Sequence, residues 1–177
     1  MFQSLYANSD FPRLAKLILA AQSGGPLPAP HNPPQALLQN TDAVSIATVC
    51  DNVRFPTSIA SYPHDVAVNR AEYPLTGGMP ANITPCSFWP HPPARTPVAI
   101  TGNGPSNVLM VQNLRDPATP YPTALHMLAD FGDRARMVTV NSGGHEVYLA
   151  NGNACSDNLV TELLVTGQRP AEGAYCP

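Results

Sequence analysis

Residues 108–148 constrain this chain more than any other stretch. VLMVQ (108–112) is a short apolar β run, and residues 136–140 form a second one. Between them a helix is expected over about 122–131, with Pro122 in its first turn, where the missing N–H costs nothing, and Gly132 at its stop. Two strands joined by such a helix lie parallel, and the crossover is right-handed. Two parallel strands by themselves leave both faces and both edges of a sheet open. The sheet is therefore expected to continue into something this chain lacks or carries only weakly.

The remainder of the chain is less regular. Leu14, Leu17, Ile18 and Ala21 recur at helical spacing behind Ser9 or Asp10 as N-cap and Pro12 in the first turn, with Gly24 and Gly25 as the left-handed stop. TDAVSIATVCDN (41–52) is apolar and partly β-branched, so its period does not separate a buried strand from a helix. A helix is expected over 64–72, ended by Pro74, and another over 157–166, with Leu159, Val160, Leu163 and Leu164 on one side and Gly167 and Pro170 beyond it. Between 73 and 97 the residues Gly77, Gly78, Pro80, Pro85, Pro90, Pro92, Pro93 and Pro97 forbid long regular elements, and Trp89 is expected to pack on that loop. The 21 prolines and 12 glycines among 177 residues fall short of the roughly 25–30% that marks low complexity. These connections read as ordered and irregular, with PLPAPHNPP (26–34) the one stretch whose composition suits a flexible linker.

Charge narrows the partners. A net charge of −3 and only 12% charged residues give neither a basic stripe nor an acidic tail, so nucleic acid is not an expected partner. No span approaches the ~20 apolar residues of a membrane helix, so no membrane association is expected. Cys50, Cys86, Cys155 and Cys176 lack C-x-x-C or zinc-ligand spacing and suit disulfides formed in an oxidising compartment. Three connectivities are formally open. The sequential one, Cys50 with Cys86 and Cys155 with Cys176, is favoured because it staples one long loop and ties down the C-terminus. The N-terminal stretch has no basic n-region and Lys16 interrupts its apolar run, so it does not read as an export signal. The chain is accordingly expected to belong to a longer precursor.

The chemistry concentrates near the two β runs. In open α/β sheets functional groups gather beyond the carboxyl ends of the strands. Asp116 lies in a turn stiffened by Pro117 and Pro120, and His145 follows Gly143 and Gly144, whose missing Cβ atoms permit positive φ and close approach. Both side chains can meet on one edge, where a carboxylate accepting from Nδ1–H leaves Nε2 of the imidazole to take a proton from a nucleophile and return it to a leaving group. A nucleophile on its own sharp turn is absent. The nearest approach to a G-x-S-x-G elbow, residues 104–108, lacks the closing glycine and precedes a strand. GNGPSN contains Pro105 and no third glycine, so it is equally poor as a dinucleotide fingerprint, and no cofactor is expected. His31, His64 and His91 have no ligand spacing, which makes a metal site with Asp116 and His145 a weak reading.

LRDPATP, SGGHEVY, NACSDNLVTELLVTGQRP and the terminal AYCP resemble the C-terminal segment of the secreted tripeptidyl-aminopeptidase-like branch of the α/β-hydrolases, serine peptidases related to the proline iminopeptidases. VCDN (49–52) and PCSFWP (85–90) resemble that family's paired-cysteine region after the lid. The resemblance implies the C-terminal portion of an α/β-hydrolase fold, its last two parallel strands with flanking helices, plus the end of a helical lid. It makes residues 1–95 the end of the lid and its return, and 96–177 the end of the core. It makes Asp116 the triad acid and His145 the triad base. The family order is Ser, Asp, His, so the nucleophile and oxyanion-hole amides are expected in an N-terminal half that pairs with this chain. On that reading the assembled protein is a secreted serine hydrolase, an aminopeptidase acting on peptides or on small amides and esters, and this chain alone is inactive. The alternative is a catalytically inert, disulfide-stapled binding module derived from the same fold.

Overall fold

The computed structural model describes residues 2–29, 34–91, 93, 96 and 98–177; His31, Pro92, Pro97 and part of PLPAPHNPP lie outside them. The regular elements are α1 (Phe11–Ser23), α2 (Gln35–Asn52), α3 (Tyr62–Glu72), β1 (Val108–Arg115), α4 (Tyr121–Phe131), β2 (Ala135–Gly143), α5 (Ala154–Thr166) and β3 (Tyr175–Cys176). They fall into two compact units, Pro30–Val98 and the combination of Met1–Ala29 with Ala99–Pro177.

In the unit Pro30–Val98, α2 resolves the ambiguity over 41–52 in favour of helix and begins earlier, at Gln35. The period could not decide because almost nothing on this helix is buried; Cys50 is the exception. The Cys50–Cys86 disulfide pins α2 to a short 3-10 turn, Pro85–Phe88, and Trp89 beside it donates Nε1–H to the Asp51 carboxylate at 2.7 Å. From α3, the buried Tyr62 hydroxyl reaches Ser87 Oγ at 2.6 Å and the Pro56 carbonyl at 2.8 Å. Among the described residues between 73 and 98, regular backbone is limited to 3-10 turns at Pro74–Thr76, Met79–Ala81 and Pro85–Phe88, as their proline content demands.

The other unit carries the sheet. Its order is β1-β2-β3, all parallel, with Val108 opposite Ala135 and Val140 opposite both Asn113 and Cys176. Both long strands outrun the apolar runs that mark them: β1 reaches Arg115 and β2 reaches Gly143, so Asp116 directly follows its strand and His145 is two residues past its own. The register is irregular between Asn113 and Arg115. Val138, Val140, Val147 and Cys176 form the core, with Leu109, Val111, Leu159 and Ala174 packed around them. Alternation along β2 turns Thr139 to the opposite face, where the Tyr121 hydroxyl of α4 meets its Oγ1 at 3.4 Å.

β3 is a third strand that the sequence does not announce, since two residues carry no period. The Cys155–Cys176 disulfide holds it, tying the start of α5 to the sheet edge. The sequential connectivity is thus the one the structure holds. On the opposite side of the sheet, β1 has no strand partner among the described residues. Its residues Val108 to Val111 are only half-buried. In α1, Pro12 and Gly24 (φ 68°) bracket the helix as their chemistry requires, yet Leu14 alone of the apolar stripe is buried.

Cys155→Ser combined with Cys176→Ser is expected to lower stability by about 3 kcal/mol, as for a loop of this length. Urea unfolding monitored by circular dichroism measures the loss, and an unchanged midpoint would show that β3 is held by other means.

Candidate active site

Asp116 leaves β1 into DPATP, and the turn folds around its carboxylate. The backbone N–H groups of Ala118 and Thr119 donate to Oδ1 at 2.8 and 2.9 Å, and Thr119 Oγ1–H donates to Oδ2 at 3.0 Å. A short acidic side chain capping its own downstream N–H groups is the Asx-turn device. Gln112, buried within β1, donates to the Thr119 carbonyl at 2.8 Å and secures the far side of the turn. The carboxylate is 4% exposed. Burial alone would raise its pKa. The N–H groups of Thr119 and Ala118, then His145 and the Thr119 hydroxyl, outweigh that effect and leave the pKa below the ordinary value of 3.8.

His145 comes to this carboxylate from 29 residues away: Nδ1 lies 3.0 Å from Oδ2 and 3.2 Å from Oδ1. Donation from Nδ1–H to an ionised carboxylate fixes the neutral tautomer with Nε2 as the free acceptor. The Thr119 hydroxyl, 3.5 Å from Nδ1, is committed to Asp116 instead. The imidazole is 32% exposed, and the Tyr6 ring stands edge-on to it with centroids 5.3 Å apart. Tyr6 also accepts the His145 backbone N–H through its carbonyl at 2.7 Å.

The two glycines before His145 act differently. Gly144 has φ +83°, and a Cβ there would sit 2.8 Å from the Tyr6 carbonyl oxygen. Gly143 needs space instead: its Cβ would meet Phe11 Cζ at 3.1 Å and Asn8 Oδ1 at 3.2 Å. Asn8 in turn donates to Ser142 Oγ at 2.9 Å. Residues 6–11 therefore buttress the loop that carries the imidazole.

Asp116 and His145 are the two expected site residues that the structure brings together. Ser106 lies elsewhere, its hydroxyl donating to the Asp133 carbonyl at 2.7 Å. Among the described residues no serine or cysteine side chain hydrogen-bonds the imidazole. Nor do three or more His, Cys, Asp or Glu side chains gather as metal ligands among them. Thr119, Tyr6, Asn113 and Asn151 were not singled out from sequence. Only Thr119 carried a signal, a hydroxyl three residues after a turn aspartate.

A parallel sheet that delivers a carboxylate and an imidazole from successive strand ends is the closing part of an α/β-hydrolase core. The model of the TAP-like protein family matches residues 73–176, and the chain belongs to that family. The chain is 29% identical over 143 residues to the tripeptidyl aminopeptidase of Streptomyces lividans, which covers 80% of this chain and 26% of that protein. It is 34% identical over 102 residues to serine protease Hip1 of Mycobacterium tuberculosis, and 30% identical over 102 residues to carboxylesterase B of the same organism. Each of these two matches covers 58% of this chain and 19% of the relative. The chain thus spans about a fifth to a quarter of the length of these relatives.

Because its folded pKa is depressed, the Asp116 carboxylate contributes stability that is fully present above the unfolded value of 3.8 and is lost as pH falls through the folded value. Asp116→Asn is expected to flatten the acid limb of a plot of urea midpoint against pH below about 4. An identical limb in both proteins would remove Asp116 from the set of coupled groups.

Proposed function

We propose that this chain is the C-terminal part of a secreted serine hydrolase, an aminopeptidase acting at the free amino end of peptides, and that it supplies the acid and base of a Ser-His-Asp triad. The observation that carries the proposal is the buried Asp116 carboxylate 3.0 Å from Nδ1 of a half-exposed His145, both at the C-terminal edge of parallel strands. In the assembled enzyme a serine from an N-terminal half attacks the substrate carbonyl. Nε2 of His145 takes the serine proton and returns it to the leaving amine, while Asp116 holds the ring in the required tautomer and stabilises the imidazolium. The oxyanion-hole amides come from that same half, and this chain alone is inactive.

The edge of β1, without a strand partner among the described residues, suits a sheet that continues into the N-terminal half. On this reading residues 96–177 close the core and residues 1–95 end the lid, of which residues 1–29 form one compact unit with residues 99–177 and bring Tyr6 and Asn8 to the imidazole loop. The two disulfides fit export, and no helix among the described residues is long and apolar enough to cross a membrane. The relatives named tripeptidyl aminopeptidase and serine protease support the reading of peptide substrates, and the one named carboxylesterase keeps esters in view as alternatives.

With the N-terminal half present, His145→Ala is expected to abolish labelling by a serine-directed phosphonate, and Asp116→Asn to slow it by on the order of 10⁴-fold. Unchanged labelling of His145→Ala would sink the assignment.

A further inference from the structure

His145 sits in a turn that does not favour itself. Gly144 before it has φ +83° and Glu146 after it has φ +68°, a left-handed backbone on a residue with a side chain. Glu146 therefore holds this conformation only because its surroundings impose it. Three successive carbonyls, those of Gly144, His145 and Glu146, have to be satisfied by donors from outside the turn.

Two carboxamides meet that demand. Nδ2 of Asn113 donates to the Gly144 carbonyl at 3.1 Å and to the Glu146 carbonyl at 3.0 Å. Nδ2 of Asn151 donates to the His145 carbonyl at 3.1 Å and again to Glu146. Each amide nitrogen has two hydrogens, and each is used on two carbonyls. We propose that Asn113 and Asn151 are positioning residues that clamp the carbonyls of residues 144–146 and so hold His145 at hydrogen-bonding distance from Asp116; the inference rests on the triad reading above.

The placement of Asn113 separates a clamp from ordinary filling. It is fully buried in β1, three residues before Asp116, so the strand that delivers the acid also grips the turn that delivers the base. It lies where the β1 register becomes irregular. Substitution by aspartate would turn acceptors toward two carbonyl oxygens, and serine would bring one donor for two acceptors. Leucine keeps the branched heavy-atom skeleton, with somewhat more bulk, and removes both donors.

The test uses the intact protein with its N-terminal half, labelled with ¹⁵N-histidine. The Nδ1–H resonance of His145, held by a carboxylate, is identified by its loss in His145→Gln. In Asn113→Leu the resonance is expected to broaden or move upfield, and the maximal rate of phosphonate labelling to fall about ten- to a hundredfold with the probe's apparent affinity unchanged. Cooperative melting shows that the variant is folded. Should it not fold, Asn151→Ala, on the half-buried outer side of the turn, carries the same two readouts. A folded variant with the resonance and labelling rate of the parent protein would overturn the clamp. Loss of the resonance in Asn113→Leu, with a parent protein that the phosphonate never labels, would instead overturn the hydrolase reading and leave the clamp standing.

Discussion

Parallel pairing of β1 with β2 is the constraint from which the rest of this structure follows. Strands that run the same way end at the same edge, so whatever follows each of them is delivered to a common place. Asp116 follows β1 and His145 follows β2, and residues 29 apart in sequence come to 3.0 Å. An antiparallel hairpin of the same two segments would send them to opposite ends. The crossover helix α4 makes the parallel arrangement attainable, and the apolar side chains of β2 and Val147 give it a core.

Bringing a carboxylate into that edge is costly unless its lone pairs are satisfied. Asp116 meets the requirement locally, with two backbone N–H groups and one hydroxyl from the turn it begins, before the imidazole adds a fourth donor. The Asp116 turn is self-sufficient in this respect. The His145 turn is not: it draws donors from β1 and from Asn151, and the His145 backbone N–H is taken by Tyr6. One turn is built by short-range chemistry, the other by long-range contacts.

That difference explains what could be read in advance. The helices α1, α3, α4 and α5 announce themselves through proline starts, glycine stops and apolar spacing, and Asp116 and His145 stand out by their position after the β runs. Thr119 belongs to a local turn and could have been found. Tyr6, Asn8 and Asn113 act on a loop more than 30 residues distant, and no spacing rule reports such a contact. α2 stayed ambiguous because nearly all of it is exposed, so burial never imposed a period on its apolar residues. β3 escaped because a two-residue strand owes its existence to a disulfide, not to a pattern.

The sheet's two edges have opposite characters. β3 ends one side with two residues locked by Cys155–Cys176, too short a row of backbone groups to template another strand. β1 offers eight residues on the other side. Among the described residues the longer unpaired edge is thus the one beside Asp116, where a parallel strand can be added. Any strand joining there in parallel brings its own last residue to the edge that already holds a carboxylate and an imidazole.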